Sequence, residues 1–123
     1  MHDDVNLGAF LSTKRREKGI TSLRMAETAG ISPGYYCDIE KNRKAPPDRA
    51  IIDRIIAALG LSAGDKMTCY DLAGKARAGV SPDLPDYIMA NEVVRAALRV
   101  AKEKATTDDW QQFIDKLERK AGK

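Results

Sequence analysis

Two clusters of basic side chains carry most of the chemical potential of this 123-residue chain. Lys14, Arg15, Arg16 and Lys18 crowd one predicted helix, and Lys41, Arg43, Lys44 and Arg49 crowd one predicted loop. Ammonium and guanidinium groups at this density can neutralise the phosphates of a nucleic acid and release its counterions. A solvated protein face has the same composition, and a net charge of +3 is too small to separate the two. On charge alone the solvated face is the better reading. Other chemistries have less to work with. The one histidine is His2, and the two cysteines, Cys37 and Cys69, lack Cys-x-x-Cys spacing. No metal site and no cofactor are expected from such a set, and both thiols read as reduced and packed. Catalysis is not expected either, because no glycine-rich phosphate loop and no nucleophile with a matching base occur. Asp108 and Asp109 are better explained as carboxylates at the positive end of a helix dipole than as an acid pair.

The elements that must position these groups are helical throughout. Apolar residues at Leu7, Phe10 and Leu11 predict a first helix over 5–18. Thr21 is a candidate N-cap for a second, with Leu23, Met25, Ala26 and Ala29 as its apolar positions and Gly30 at its end. Ser32 followed by Pro33 opens a third helix, since proline at the first helical position gives up no hydrogen bond. Tyr36 and Ile39 face inward from it. A polar loop over 42–47 leads to a fourth helix, starting at Pro47 or Asp48 and ending at Gly60, whose stripe is Ile51, Ile52, Ile55, Ile56 and Leu59. Ser62 with Asp65 resembles a capping box for a fifth helix reaching about Arg77.

Gly79-Val80-Ser81-Pro82 marks the expected domain boundary, giving 1–79 and 80–123. Three further helical pieces follow. One covers about 85–90; one begins near Asn91 and carries Val94, Ala97, Leu98 and Ala101. The last is capped by Thr107 and shows Trp110, Phe113, Ile114 and Leu117 at helical spacing. No segment alternates as a strand, so the expected fold is all α. No run approaches the roughly 20 apolar residues of a membrane span, and the first residues, MHDDVNLGAF, lack the order of a signal peptide. The chain is therefore expected to be cytoplasmic.

The string from Leu11 to Ser62, LSTKRREKGITSLRMAETAGISPGYYCDIEKNRKAPPDRAIIDRIIAALGLS, resembles the lambda-repressor-like, Xre-type helix-turn-helix family. Arg15 before Gly19-Ile20-Thr21, Ala26 four residues before Gly30, Ile31-Ser32 at the turn, Ile39-Glu40 and the Ala58-Leu59-Gly60-Leu61-Ser62 ending match in register. The resemblance implies a five-helix DNA-binding domain followed by a short helical C-terminal region. It implies that the third helix enters the major groove of double-stranded DNA while the second lies across the backbone. It also pairs Arg15 with Glu40 as a structural ion pair.

By the same resemblance, Pro33, Gly34 and Asp38 occupy base-reading positions, with Tyr35 and Cys37 also near the DNA. Ser22, Ser32, Lys41, Asn42, Arg43 and Lys44 complete the candidate DNA-binding set, Ser22 and the basic residues as phosphate contacts. Many relatives carry glutamine, serine or arginine at the base-reading places. Here only Asp38 offers a polar side chain, as an acceptor for a cytosine amino group, so base readout is expected to be sparse and DNA shape to contribute more. Tyr35 could instead be core packing, as Tyr36 is.

The expected function is a sequence-specific transcriptional regulator, a homodimeric repressor on an inverted-repeat operator that includes its own gene among its targets. Val94, Leu98, Trp110, Phe113, Ile114 and Leu117 are the candidate dimerisation residues, and folding back onto the same chain is the competing explanation of that face. An antitoxin, whose C-terminal helices neutralise a co-encoded toxin, is the alternative function. The run from Asp71 to Lys104 is also similar to tails of mobile-element repressors that a partner metallopeptidase cleaves.

Overall fold

The computed structural model describes residues 6–121; His2 and the predicted helix start at Val5 lie outside them. Eight α-helices and no strand occur among the described residues. The chain divides into two compact units, Met1–Pro85 and Asp86–Lys123.

The first unit is built from five helices, each opened by a side chain the sequence supplies. In α1 (Leu7–Glu17), Asn6 accepts the Ala9 amide at 2.9 Å. Thr21 opens α2 (Ser22–Ala29) by accepting the Arg24 amide, and Ser32 opens α3 (Pro33–Glu40) by accepting that of Tyr35, both at 3.1 Å. Asp48 rather than Pro47 caps α4 (Arg49–Leu59), accepting from Ile51. Ser62 caps α5 (Ala63–Ala76) by accepting from Asp65. The second half of that expected capping box is missing because the Asp65 carboxylate turns to Lys14 instead, at 3.1 Å.

These helices close on one core. Leu7 and Leu11 of α1, Met25, Ala26 and Ala29 of α2, and Tyr36 and Ile39 of α3 are buried with Ile52, Ile55, Ile56 and Leu59 of α4. Cys69 and Ala73 bring α5 into the same cluster. Ala26, with no accessible surface, lies in the shared core of α2, α3 and α4, where a small side chain permits close packing. Leu23 departs from its predicted place: it is 56% exposed and belongs to the outer face of α2.

The segment after α5 is tied to the first unit. The Arg77 guanidinium donates to the Pro46 and Pro47 carbonyls, and the Ser81 hydroxyl donates to Asp71. A Cβ on Gly74 would come within 2.8 Å of the Ser81 nitrogen, so only glycine lets this segment lie on α5. The compact unit thus runs to Pro85, past the expected boundary at Gly79.

In the second unit, α6 (Pro85–Ala90) is fastened to α7 (Glu92–Lys104) by Arg95, which donates to the Ile88 and Met89 carbonyls. Asn91 caps α7 by accepting from Val93 and Val94 at 3.0 and 3.2 Å. The cap of α8 (Thr107–Ala121) is Thr106, one residue before the expected Thr107. Thr106 and Asp109 exchange reciprocal bonds of 2.9 and 3.1 Å, a complete capping box that satisfies two orphan amides.

Candidate nucleic-acid interface

The turn between α2 and α3 is what presents the candidate face. Gly30 adopts φ 73°, a left-handed conformation that costs glycine little and a side-chain-bearing residue more. Its amide caps α2, and the chain re-enters a helix three residues later at Pro33. Tyr36 and Ile39 anchor the inner side of α3, which leaves Ser32, Pro33 and Gly34 exposed at its start. Nothing lies within 4 Å of a Cβ built on Gly34, so the outer surface of that turn is open. Tyr35, Cys37 and Asp38 are half-buried, and Tyr35 packs partly against the core rather than pointing wholly away from it.

The two basic clusters turn out to be unlike. Three members of the first hold the fold together. Arg15 donates through Nε and Nη2 to Glu40 at 2.7 and 3.1 Å, and through Nη1 to the Ile20 carbonyl at 2.9 Å. The Glu40 hydrogen bond raises the Arg15 pKa, which keeps the guanidinium charged in its half-buried place. Lys14 bridges Glu17 and Asp65 at 3.5 and 3.1 Å, with its own pKa raised chiefly by the bond to Asp65. Lys18 donates to the Gly60 carbonyl at 3.2 Å.

From the second cluster, Arg49 is likewise engaged, with Asp53 at 3.5 Å and the Tyr70 ring beneath its guanidinium. Lys41, Arg43 and Lys44 remain exposed just beyond the end of α3. Arg43 Nη1 stands 3.5 Å from Asp38 Oδ1, and Lys44 Nζ stands 4.0 Å from Asp38 Oδ2. Ser22 is exposed at the first turn of α2, and Ser32 is exposed with its hydroxyl oxygen already accepting the Tyr35 amide.

Asn42 has a different occupation from the rest of the set. It takes a left-handed φ of 56°, its amide nitrogen donates to Asn6 Oδ1 at 2.9 Å, and its carbonyl oxygen accepts from the Gly8 amide at 3.4 Å. Asn42 therefore joins the end of α3 to the start of α1. Gly8 serves the same junction, since a Cβ there would drive into the Glu40 carbonyl oxygen. Sequence reasoning passed over both Asn6 and Gly8. The polar residue just ahead of the Leu7, Phe10, Leu11 stripe signalled the Asn6 cap, but nothing local signalled the close approach at Gly8.

Tyr36 supports the site from beneath. Its hydroxyl is buried with no hydrogen-bond partner among the described residues. Burial first, and then the nearby Glu40 carboxylate, push the phenol above its ordinary range, so it stays neutral. No group of three or more metal-ligating side chains gathers among the described residues. No described helix is long and apolar enough to cross a membrane.

The remaining six candidates lie in the second unit. Val94 is half-buried, while Leu98, Trp110, Phe113, Ile114 and Leu117 are each exposed by 39–49%. Trp110 and Phe113 meet edge to face at 6.2 Å, and both line a groove with Ala97, Val100 and Ala101 of α7.

Comparison with known proteins sets this geometry beside relatives. The helix-turn-helix family pattern matches residues 11–66. The ImmF control region 10 kDa protein of Bacillus phage phi105 is 37% identical over 51 residues, which is 42% of this chain and 57% of that protein. The HTH-type transcriptional regulator SinR of Bacillus subtilis (strain 168) is 30% identical over 56 residues, 46% of this chain and 50% of SinR. The chain thus spans about half the length of the curated relatives it matches. Among solved structures, a SinR protein/SinI protein complex aligns with 19% identity and a TM-score of 0.49, covering 95% of this chain and 99% of the other. The clp gene regulator ClgR of Corynebacterium glutamicum aligns with 25% identity and a TM-score of 0.47, covering 81% and 92%. Through residues 11–66, this chain is similar to the helix-turn-helix family.

Proposed function

We propose that the protein is a sequence-specific, double-stranded DNA-binding transcriptional regulator. It acts in the cytoplasm as a homodimeric repressor, with its own gene among its targets. The observation that carries this reading is the outer face of α3. Ser32, Pro33 and Gly34 stand open at one end of that helix, and Lys41, Arg43 and Lys44 stand exposed beyond the other. A helix with an open first turn can approach base edges, while cations at its far end take the flanking phosphates. Relatives described as a transcriptional regulator and a phage control-region protein support the same reading.

Dimerisation is assigned to the α7–α8 face, because Trp110, Phe113, Ile114 and Leu117 expose more apolar surface than so small a unit can cover by itself. The antitoxin reading draws on that same surface, and the metallopeptidase-target reading draws on the run from Asp71 to Lys104.

Footprinting on the DNA upstream of the protein's own gene is the test. The expected result is a protected inverted repeat whose half-sites lie about one helical turn apart. No protection at any protein concentration that saturates other duplexes overturns autoregulation, and protection of a single half-site overturns the dimer.

A further inference from the structure

Asp38 is out of place on a helix meant to meet a polyanion. It lies in the last turn of α3, where the helix dipole already disfavours a negative charge. Its side chain is only 24% exposed, yet both carboxylate oxygens are directed to cations of the following loop. Oδ1 faces Arg43 Nη1 at 3.5 Å and Oδ2 faces Lys44 Nζ at 4.0 Å, whereas the two cations are themselves about three-fifths exposed. The Arg43 amide also donates to the Asp38 carbonyl at 2.9 Å, so the loop folds back onto this residue through backbone and side chain alike.

We propose that Asp38 is a charge lock that makes phosphate binding conditional on the base beneath α3. The inference rests on the DNA-binding reading above. In the free protein the carboxylate holds Arg43 and Lys44, and a duplex must exchange those ion pairs for phosphate contacts. Where a base presents an amino group in the major groove, as cytosine does, Asp38 accepts from it and both cations pass to the backbone. Where no donor is presented, the carboxylate can be satisfied only by keeping its cations, and the phosphates lose them. One acidic residue thereby lowers affinity for random sequence and links base readout to the electrostatic contacts.

The test is fluorescence anisotropy of the full chain on a labelled random-sequence duplex across a range of KCl. Wild type, Asp38→Asn, the Arg43→Ala/Lys44→Ala double variant and the triple variant are compared. Asp38→Asn is expected to bind random duplex about fivefold tighter at low salt, with the salt slope steeper by about one counterion. The triple variant is expected to match the double, because there is nothing left to unlock. The lock is overturned if Asp38→Asn gains nothing, or if the gain survives in the triple variant, which would mark simple repulsion of phosphate by Asp38. The reading beneath it fails separately, if neither wild type nor any of the variants binds duplex DNA at low salt. Asp38→Ser, with circular dichroism as the check on folding, serves the same comparison if the asparagine variant misfolds.

Discussion

Glu40 accepts two hydrogen bonds from one guanidinium, and the two side chains retain only 10% and 13% exposure. Desolvated that far, the pair matters most when broken from one side. Replacing Glu40 with alanine strands the Arg15 charge next to the Ile20 carbonyl and is expected to cost about 3 kcal/mol. Urea denaturation measures it as a lower midpoint with an unchanged slope. A variant as stable as the parent would remove the pair from the account of how α3 is held. Cys69 supplies a second test at this scale. Burial, with a smaller effect from Asp53, pushes its thiol up to about 12. The folded state therefore favours the neutral thiol, and its contribution to stability is complete below the unfolded thiol's pKa of about 8.5. It is lost as pH rises from there towards the folded value, because the unfolded chain gives up its proton first. In a Cys37→Ser background, maleimide at pH 8 should leave Cys69 unmodified in the native protein and label it in denaturant. Rapid native labelling would contradict the burial assigned to it.

At the scale of elements, most of the fold could be read along the chain. The helices follow caps and stripes that act over three or four residues, and such signals are local by nature: Thr21, Ser32 and Ser62 each precede a helix and each accept an amide from it. What escaped depends on residues distant in sequence. Asp65 leaves its capping box because Lys14, on another helix, offers a cation. Leu23 faces solvent because α4 occupies only one side of α2, a fact no single helical stripe records. The candidate site was legible in the same uneven way. Its exposed first turn follows from the Ser32-Pro33 start, whereas the contacts of Asp38 with Arg43 and Lys44, and of Asn42 with Asn6, exist only after the loop folds back. Gly8 gives the sharpest test of that packing. A methyl group there must push α1 away from the Glu40 carbonyl, so Gly8→Ala is expected to destabilise by about 2 kcal/mol despite its better helix propensity. Thermal melting of this variant checks it, and a higher melting temperature would mean that the α1–α3 approach is looser than described.

For the whole molecule, the two compact units divide the work that the proposed function requires. A single helix-turn-helix face covers one half-site, and a palindrome requires two faces held about 34–36 Å apart. Phe113→Asp places a charge in the apolar face of α8 without touching the first unit's core. Sedimentation equilibrium is expected to convert a dimer into a monomer that keeps its helical circular dichroism. A wild type that is already monomeric at micromolar concentration would contradict the assignment of this face to a dimer.

The central claim remains that the outer face of α3 meets duplex DNA, and a single titration addresses it. Amide resonances of the full chain are followed by NMR as a duplex carrying the upstream region of its gene is added. The largest shifts are expected over Ser22, Ser32 to Asp38 and Lys41 to Lys44, with the core amides of α4 and the amides of α8 nearly still. Shifts concentrated on Lys14, Arg16 and Lys18, or on α7 and α8, with α3 unmoved, would contradict the account.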